Sequence, residues 1–170
     1  MNLKRTLILV TILILSGVYI YGLGWRKGDQ RVEKVFIFDP QEVEEIILAK
    51  GKHIITLKRQ GKEWKVLGLI EATKFLRDEK IIHNLLSVFN YGIIDVVDEN
   101  PTNLADYGLD RPELIFSIKI RGDPSFKTLL IGNNNPTNNS CYAKVKNLPR
   151  VLLLGILYKI DLGATLDLFS

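Results

Sequence analysis

The side chains able to do chemistry are few, and their spacing disperses them. Glu44-Glu45 and Asp98-Glu99 are the obvious carboxylate pairs for acid–base work. Adjacent residues on a strand point to opposite faces, so neither pair converges on one substrate. Cys141 is the only cysteine. It alternates with Ala143 and Val145 on one strand face, opposite Tyr142, Lys144 and Lys146, which reads as a small buried hydrophobe, not a nucleophile. A single cysteine excludes an internal disulfide. With only His53 and His83 beside it, no metal-ligand set emerges. His83 falls off the apolar stripe of its helix and reads as solvated. No phosphate loop, zinc spacing or nucleophile elbow is present. The sequence therefore predicts no catalytic residues, no cofactor, no metal and no enzyme.

Two stretches could make contacts instead. Gly132 to Ser140, GNNNPTNNS, sets five asparagines around a proline. Asn133, Asn134, Asn135, Asn138 and Asn139 offer donors and acceptors without charge, so they are the candidate contacts for a partner or a polar ligand. The plainer reading is a hairpin loop whose amides bond their own backbone. The second stretch is Tyr107-Gly108-Leu109-Asp110-Arg111-Pro112. Tyr107 and Asp110 could mark a contact surface. Each residue also has a local conformational role. Gly108 can end a helix in the left-handed region, and Pro112 presets entry to the next strand. Tyr107, Gly108, Asp110, Pro112 and Gly132 are thus read as a structural motif.

The elements that position these residues follow an anchor. Thr6 to Trp25 is twenty residues without a charge. A helix of that length rises about 1.5 Å per residue and spans the roughly 30 Å core of a bilayer. The run is long for a cleaved signal peptide, lacks an Ala-x-Ala site and has no lipobox cysteine, so it reads as an uncleaved signal anchor. Tyr19, Tyr21 and Trp25 suit the far interface. Lys4 and Arg5 favour a short cytoplasmic N-terminus, opposed by Arg26 and Lys27, which Asp29 and Glu33 dilute. Those four flanking cations account for the net charge of +4; the remaining 19 Lys and Arg balance the 19 Asp and Glu. No basic stripe is left for nucleic acid.

The organisation expected is an anchor over 1–27, a linker over 28–33 and an exported domain over 34–170. Strands are predicted at Lys34–Phe38, Glu45–Lys50, Ile93–Val97, Leu114–Ile120, Phe126–Ile131, Cys141–Lys146 and Arg150–Leu154. His53–Arg59 and Glu63–Leu67 form a hairpin. Asp39-Pro40 and Asn100-Pro101 each read as a cap and first turn of a short helix. Asp78 to Asn90 is the clear amphipathic helix, with Ile81, Ile82, Leu85, Leu86 and Phe89 on one face. A short helix over Gly155 to Ile160 closes the chain. The fold class is α+β, mainly antiparallel, and the repeated order hints at two related β-rich lobes.

DENPTNLADYGLDRP at Asp98 to Pro112 and TLLIGNNNPTNNSCYAKV at Thr128 to Val145 are the most specific stretches. With FDPQEV at Phe38 to Val43 and the GKEWKV hairpin, they resemble a bacterial family of membrane-anchored domains of unknown function. Members of that family are often encoded beside ABC-2-type, gliding-motility-associated transporters. The resemblance covers about residues 34 to 168. It implies an antiparallel α+β domain outside the inner membrane, held by residues 6–25 in the bilayer. It also implies envelope proteins as partners, ABC transporter subunits among them. The function expected is a non-enzymatic, single-pass accessory protein; the alternative is an extracytoplasmic module binding a wall-derived glycan or peptide.

Overall fold

The computed structural model describes residues 11–17, 19, 33–67, 75–76 and 79–169. It divides into two units, Met1–Arg31 and Val32–Ser170. In the first, residues 11–17 and 19 are helical and exposed. Most of the expected 6–25 span lies outside the described residues, as does the cap at Asp78. Among the described residues no helix is long and apolar enough to cross a membrane.

The second unit is built on one nine-stranded antiparallel sheet. The strands are β1 (Val43–Lys50), β2 (His53–Gln60), β3 (Glu63–Leu67), β4 (Phe75–Leu76), β5 (Ile93–Asp98), β6 (Leu114–Ile120), β7 (Phe126–Asn134), β8 (Ser140–Val145) and β9 (Val151–Gly155). Their order across the sheet is β4-β3-β2-β1-β6-β7-β8-β9-β5. Two helices, α1 (Glu79–Ser87) and α2 (Ile156–Asp167), follow the first and second runs of strands. The chain thus runs twice through a 3-10 turn, four antiparallel strands and a helix, with β5 between the two passes, paired to the far edge of β9. The two meanders join where β1 pairs β6, Ile46 opposite Ile118 and Leu48 opposite Phe116.

Alternation decides which side is buried. Val43, Ile46 and Leu48 of β1 and Leu114, Phe116, Ile118 and Ile120 of β6 face the helices and are buried. Leu129, Ile131, Cys141, Ala143, Leu152 and Leu154 continue that core. Ile82, Leu85 and Leu86 bring α1 down onto it, and Tyr158 and Leu162 bring α2. Phe89, in the 3-10 turn Val88–Asn90 after α1, is its aromatic centre. Its ring lies 5.4 Å from Phe36, 5.9 Å from Phe38, 4.8 Å from Phe116 and 5.9 Å from Tyr158.

That cluster corrects one expectation. Lys34–Phe38 is not a strand. Phe36 and Phe38 are drawn to Phe89, while Ile37 is left 83 % exposed, so ring packing and not a ladder explains the apolar run. Asp39 does cap a 3-10 turn, Pro40–Glu42, accepting from the Gln41 amide at 2.8 Å. The second short turn starts later than predicted: Asn103, not Asn100-Pro101, caps Leu104–Tyr107. The C-terminal helix runs seven residues past Ile160, through Gly163, because Leu162 and Leu166 continue its buried side.

Candidate functional site

The two motifs singled out in the sequence meet in space. Asn103 Oδ1 accepts from the Ala105 amide at 3.1 Å and starts the turn. Gly108, at φ 67°, ends it; its amide donates to Ala105 O at 3.0 Å, and Leu109 donates to Leu104 O at 2.9 Å. This drops Leu109 into the interior, 3 % exposed, and leaves Asp110 outside and Pro112 half-buried. Tyr107 packs its ring edge-on to Tyr142 at 5.1 Å and donates its hydroxyl to Asp98 Oδ2 at 3.1 Å. Burial, and then the Asp98 hydrogen bond, raise its pKa above the ordinary tyrosine value.

Gly132 of β7 lies against the same turn. A Cβ on Gly132 would stand 2.2 Å from Tyr107 O, and one on Gly108 would stand 2.4 Å from Asn133 Oδ1. At Gly132 the obstacle is backbone; at Gly108 it is the Asn133 side chain and amide, added to a left-handed φ, so both positions require glycine. Tyr107, Gly108, Gly132 and Asn133 therefore form one junction, with Asp110 and Pro112 on its rim.

The asparagine stretch divides. Asn133 and Asn134 belong to β7, which runs three residues beyond the predicted Ile131 end; Asn135 to Asn139 make the turn. Asn135 Nδ2 donates to Thr137 Oγ1 at 2.8 Å and Asn139 Oδ1 at 2.9 Å, and Asn134 Nδ2 donates to Asn138 Oδ1 at 3.2 Å. Asn138 takes φ 57°, which asparagine tolerates. The turn is tied to α2: the Ile156 amide donates to Asn139 O at 3.1 Å. Lys159 Nζ donates to Gly132 O at 3.1 Å and Asn134 Oδ1 at 2.8 Å, and pairs with Glu113 at 2.5 Å. The amides of Asn134, Asn135, Asn138 and Asn139 thus hold the tip in shape, and Asn133 stands exposed beside Gly108.

The helices cover one side of the sheet, and the other carries three cross-strand rows. Ile54, Ala49, Ile115 and Leu130 make an apolar row across β2, β1, β6 and β7. One step along, Thr56, Ile47, Ser117 and Thr128 make a second, with Ser117 and Thr128 hydroxyls 2.9 Å apart. Lys58, Glu45, Lys119 and Phe126 make a third, in which Lys58 pairs with Glu45 at 3.9 Å and Lys119 sits 5.5 Å from the Phe126 ring. This graded face escaped the sequence reading, although the alternation in β6 already implied a second side. Cys141 points away from it, into the core, where burial pushes its thiol up to about 11. Among the described residues no group of three or more His, Cys, Asp and Glu side chains gathers to hold a metal.

A single antiparallel sheet with helices on one side, whose loop motifs interlock through glycines, defines an α+β domain of two successive meanders. The chain belongs to the family described as a domain of unknown function (DUF4340), which matches residues 69–169. Both interlocking motifs lie inside that stretch; the Phe38–Val43 and GKEWKV segments precede it. No curated protein and no solved structure matches the chain.

Proposed function

We propose that this chain is a non-enzymatic, single-pass membrane-anchored interaction protein of the bacterial cell envelope, working beside an ABC-type transport or motility system. The observation that carries the reading is the uncovered side of the sheet. Its row Ile54–Ala49–Ile115–Leu130 leaves Ile54 55 % exposed beside half-buried Ala49, Ile115 and Leu130, and the polar and charged rows next to it add hydrogen-bonding and charged groups. An apolar strip flanked by polar and charged rows is the kind of surface protein interfaces use. The uncharged Thr6–Trp25 run supports membrane attachment, Lys4 and Arg5 before it support a domain outside, and the motif resemblance supports that side and transporter subunits as partners. Attachment raises local concentration, so weak contacts on this face suffice. The alternative, a binding module for a wall-derived glycan or peptide at the asparagine tip, draws less support, because four of the five amides are engaged within the hairpin.

The test is a mild-detergent pull-down of the full-length protein from its own membranes, beside a version lacking residues 34–170 and the surface variant Ile54→Glu. Permease and ATPase subunits should come with the full-length protein, vanish with the truncation and diminish with Ile54→Glu. Equal recovery with the truncation, or recovery of no transporter subunit, would sink the reading.

A further inference from the structure

Helix α2 is apolar on both sides, which is unusual for a helix on a surface. Tyr158, Leu162 and Leu166 face the core. On the outward side Leu157, Ile160 and Leu168 are 52, 54 and 68 % exposed, and Ala164 between them is exposed as well. The spacing 157, 160, 164, 168 is one helical stripe. The 12-residue helix is therefore built to be covered on its outer face.

We propose that this stripe lies on a lipid surface, resting in the headgroup layer of the membrane to which the chain is anchored. The inference rests on the anchored reading above. Chain length argues for lipid as the occupant: only residues 26–32 separate the uncharged run from Glu33, a reach of about 25 Å at full extension. The folded unit begins beside the stripe. Glu33 O accepts from the Ile93 amide at 2.7 Å and Lys34 Nζ donates to Asn90 Oδ1 at 3.0 Å. Between those two anchor points Tyr91 donates its hydroxyl to Asp161 Oδ2 of α2 at 2.8 Å. Tyr91, 47 % exposed, has the apolar body and polar tip that suit an interface. Asp161 and Asp167 flank the stripe and disfavour an anionic surface, so the stripe fits a zwitterionic one through apolar burial, a contact insensitive to salt.

The experiment uses the full-length protein in phosphatidylcholine vesicles, in a Cys141→Ala background, with an environment-sensitive fluorophore on Ile160→Cys, Leu168→Cys or Lys58→Cys. Lys58 lies on the far side of the sheet and serves as the reference. Labels at 160 and 168 should be quenched severalfold more strongly by lipid-borne quenchers than the label at 58, and shielded from aqueous iodide. Equal responses at all three sites would overturn the proposal. Shielding from iodide without lipid quenching would overturn it too, and would assign the cover to a second copy of the chain. If alkaline extraction strips the protein from the vesicles, the anchored reading falls and this proposal with it. Retention without lipid quenching at 160 and 168 removes the stripe proposal alone.

Discussion

A methyl group at position 132 would sit 2.2 Å from the carbonyl oxygen of Tyr107, and the obstacle is backbone that cannot rotate away. Gly132→Ala should therefore cost roughly 2–3 kcal/mol, the upper part of the range for forced overpacking. Gly163 is the contrast. It is helical and buried, and a Cβ there meets nothing within 4 Å, so Gly163→Ala should stabilise by about 0.5–1 kcal/mol. Urea unfolding of both variants checks the pair; equal effects would mean that the junction yields. The two glycines of the junction were not equally legible in the sequence. The helix-ending role of Gly108 is local and follows from its neighbours. The role of Gly132 depends on a turn some two dozen residues earlier, and no local pattern encodes that, so it read as the first residue of a loop and not as strand.

Where α2 rests on the sheet, two groups titrate late. Burial pushes Tyr158 up to about 12 and Cys141 up to about 11. Their ordinary values are 10.0 and 9.0. Below about pH 8 both stay protonated in either state and their contribution is intact. From there to about pH 12 the unfolded chain gives up protons first, so stability falls as pH rises. Each group should account for on the order of 2 kcal/mol, and not additively, since the two charges repel. Urea midpoints measured from about pH 8 to 11 should decline, and Cys141→Ala should remove the earlier part of the decline; a flat profile would contradict the burial argument. At this scale the sequence was readable wherever one side of an element is buried. The alternation of β6 and the stripe of α1 announced themselves. Lys34–Phe38 misled because aromatic packing and strand pairing draw on the same residues, and α2 read short because a glycine inside a helix resembles a glycine after one.

The family match begins at residue 69, yet the sheet does not. β1 stands next to its central strand, burying Ile46 and Leu48 beside Ile118 and Phe116 of β6. A chain of residues 69–170 would expose the β6 edge and lose Phe36 and Phe38 from the aromatic cluster. It should fail to form a cooperative fold and should self-associate through the bared strand, seen as loss of a monomeric elution peak and of a sharp unfolding transition. A monodisperse, cooperatively unfolding fragment would show that the second meander suffices. The sequence carried the repeated order of elements but not the seam between the two runs, because pairing β1 to β6 is a choice made across the whole domain. Glu44 and Arg121, bonded at 3.1 Å on either side of that seam, are 77 residues apart in sequence. A growing chain therefore completes β1, β2 and β3 well before any partner for the far side of β1 exists. The open edge of β1 belongs to every partial chain that stops short of Leu114, and only the arrival of the second half removes it.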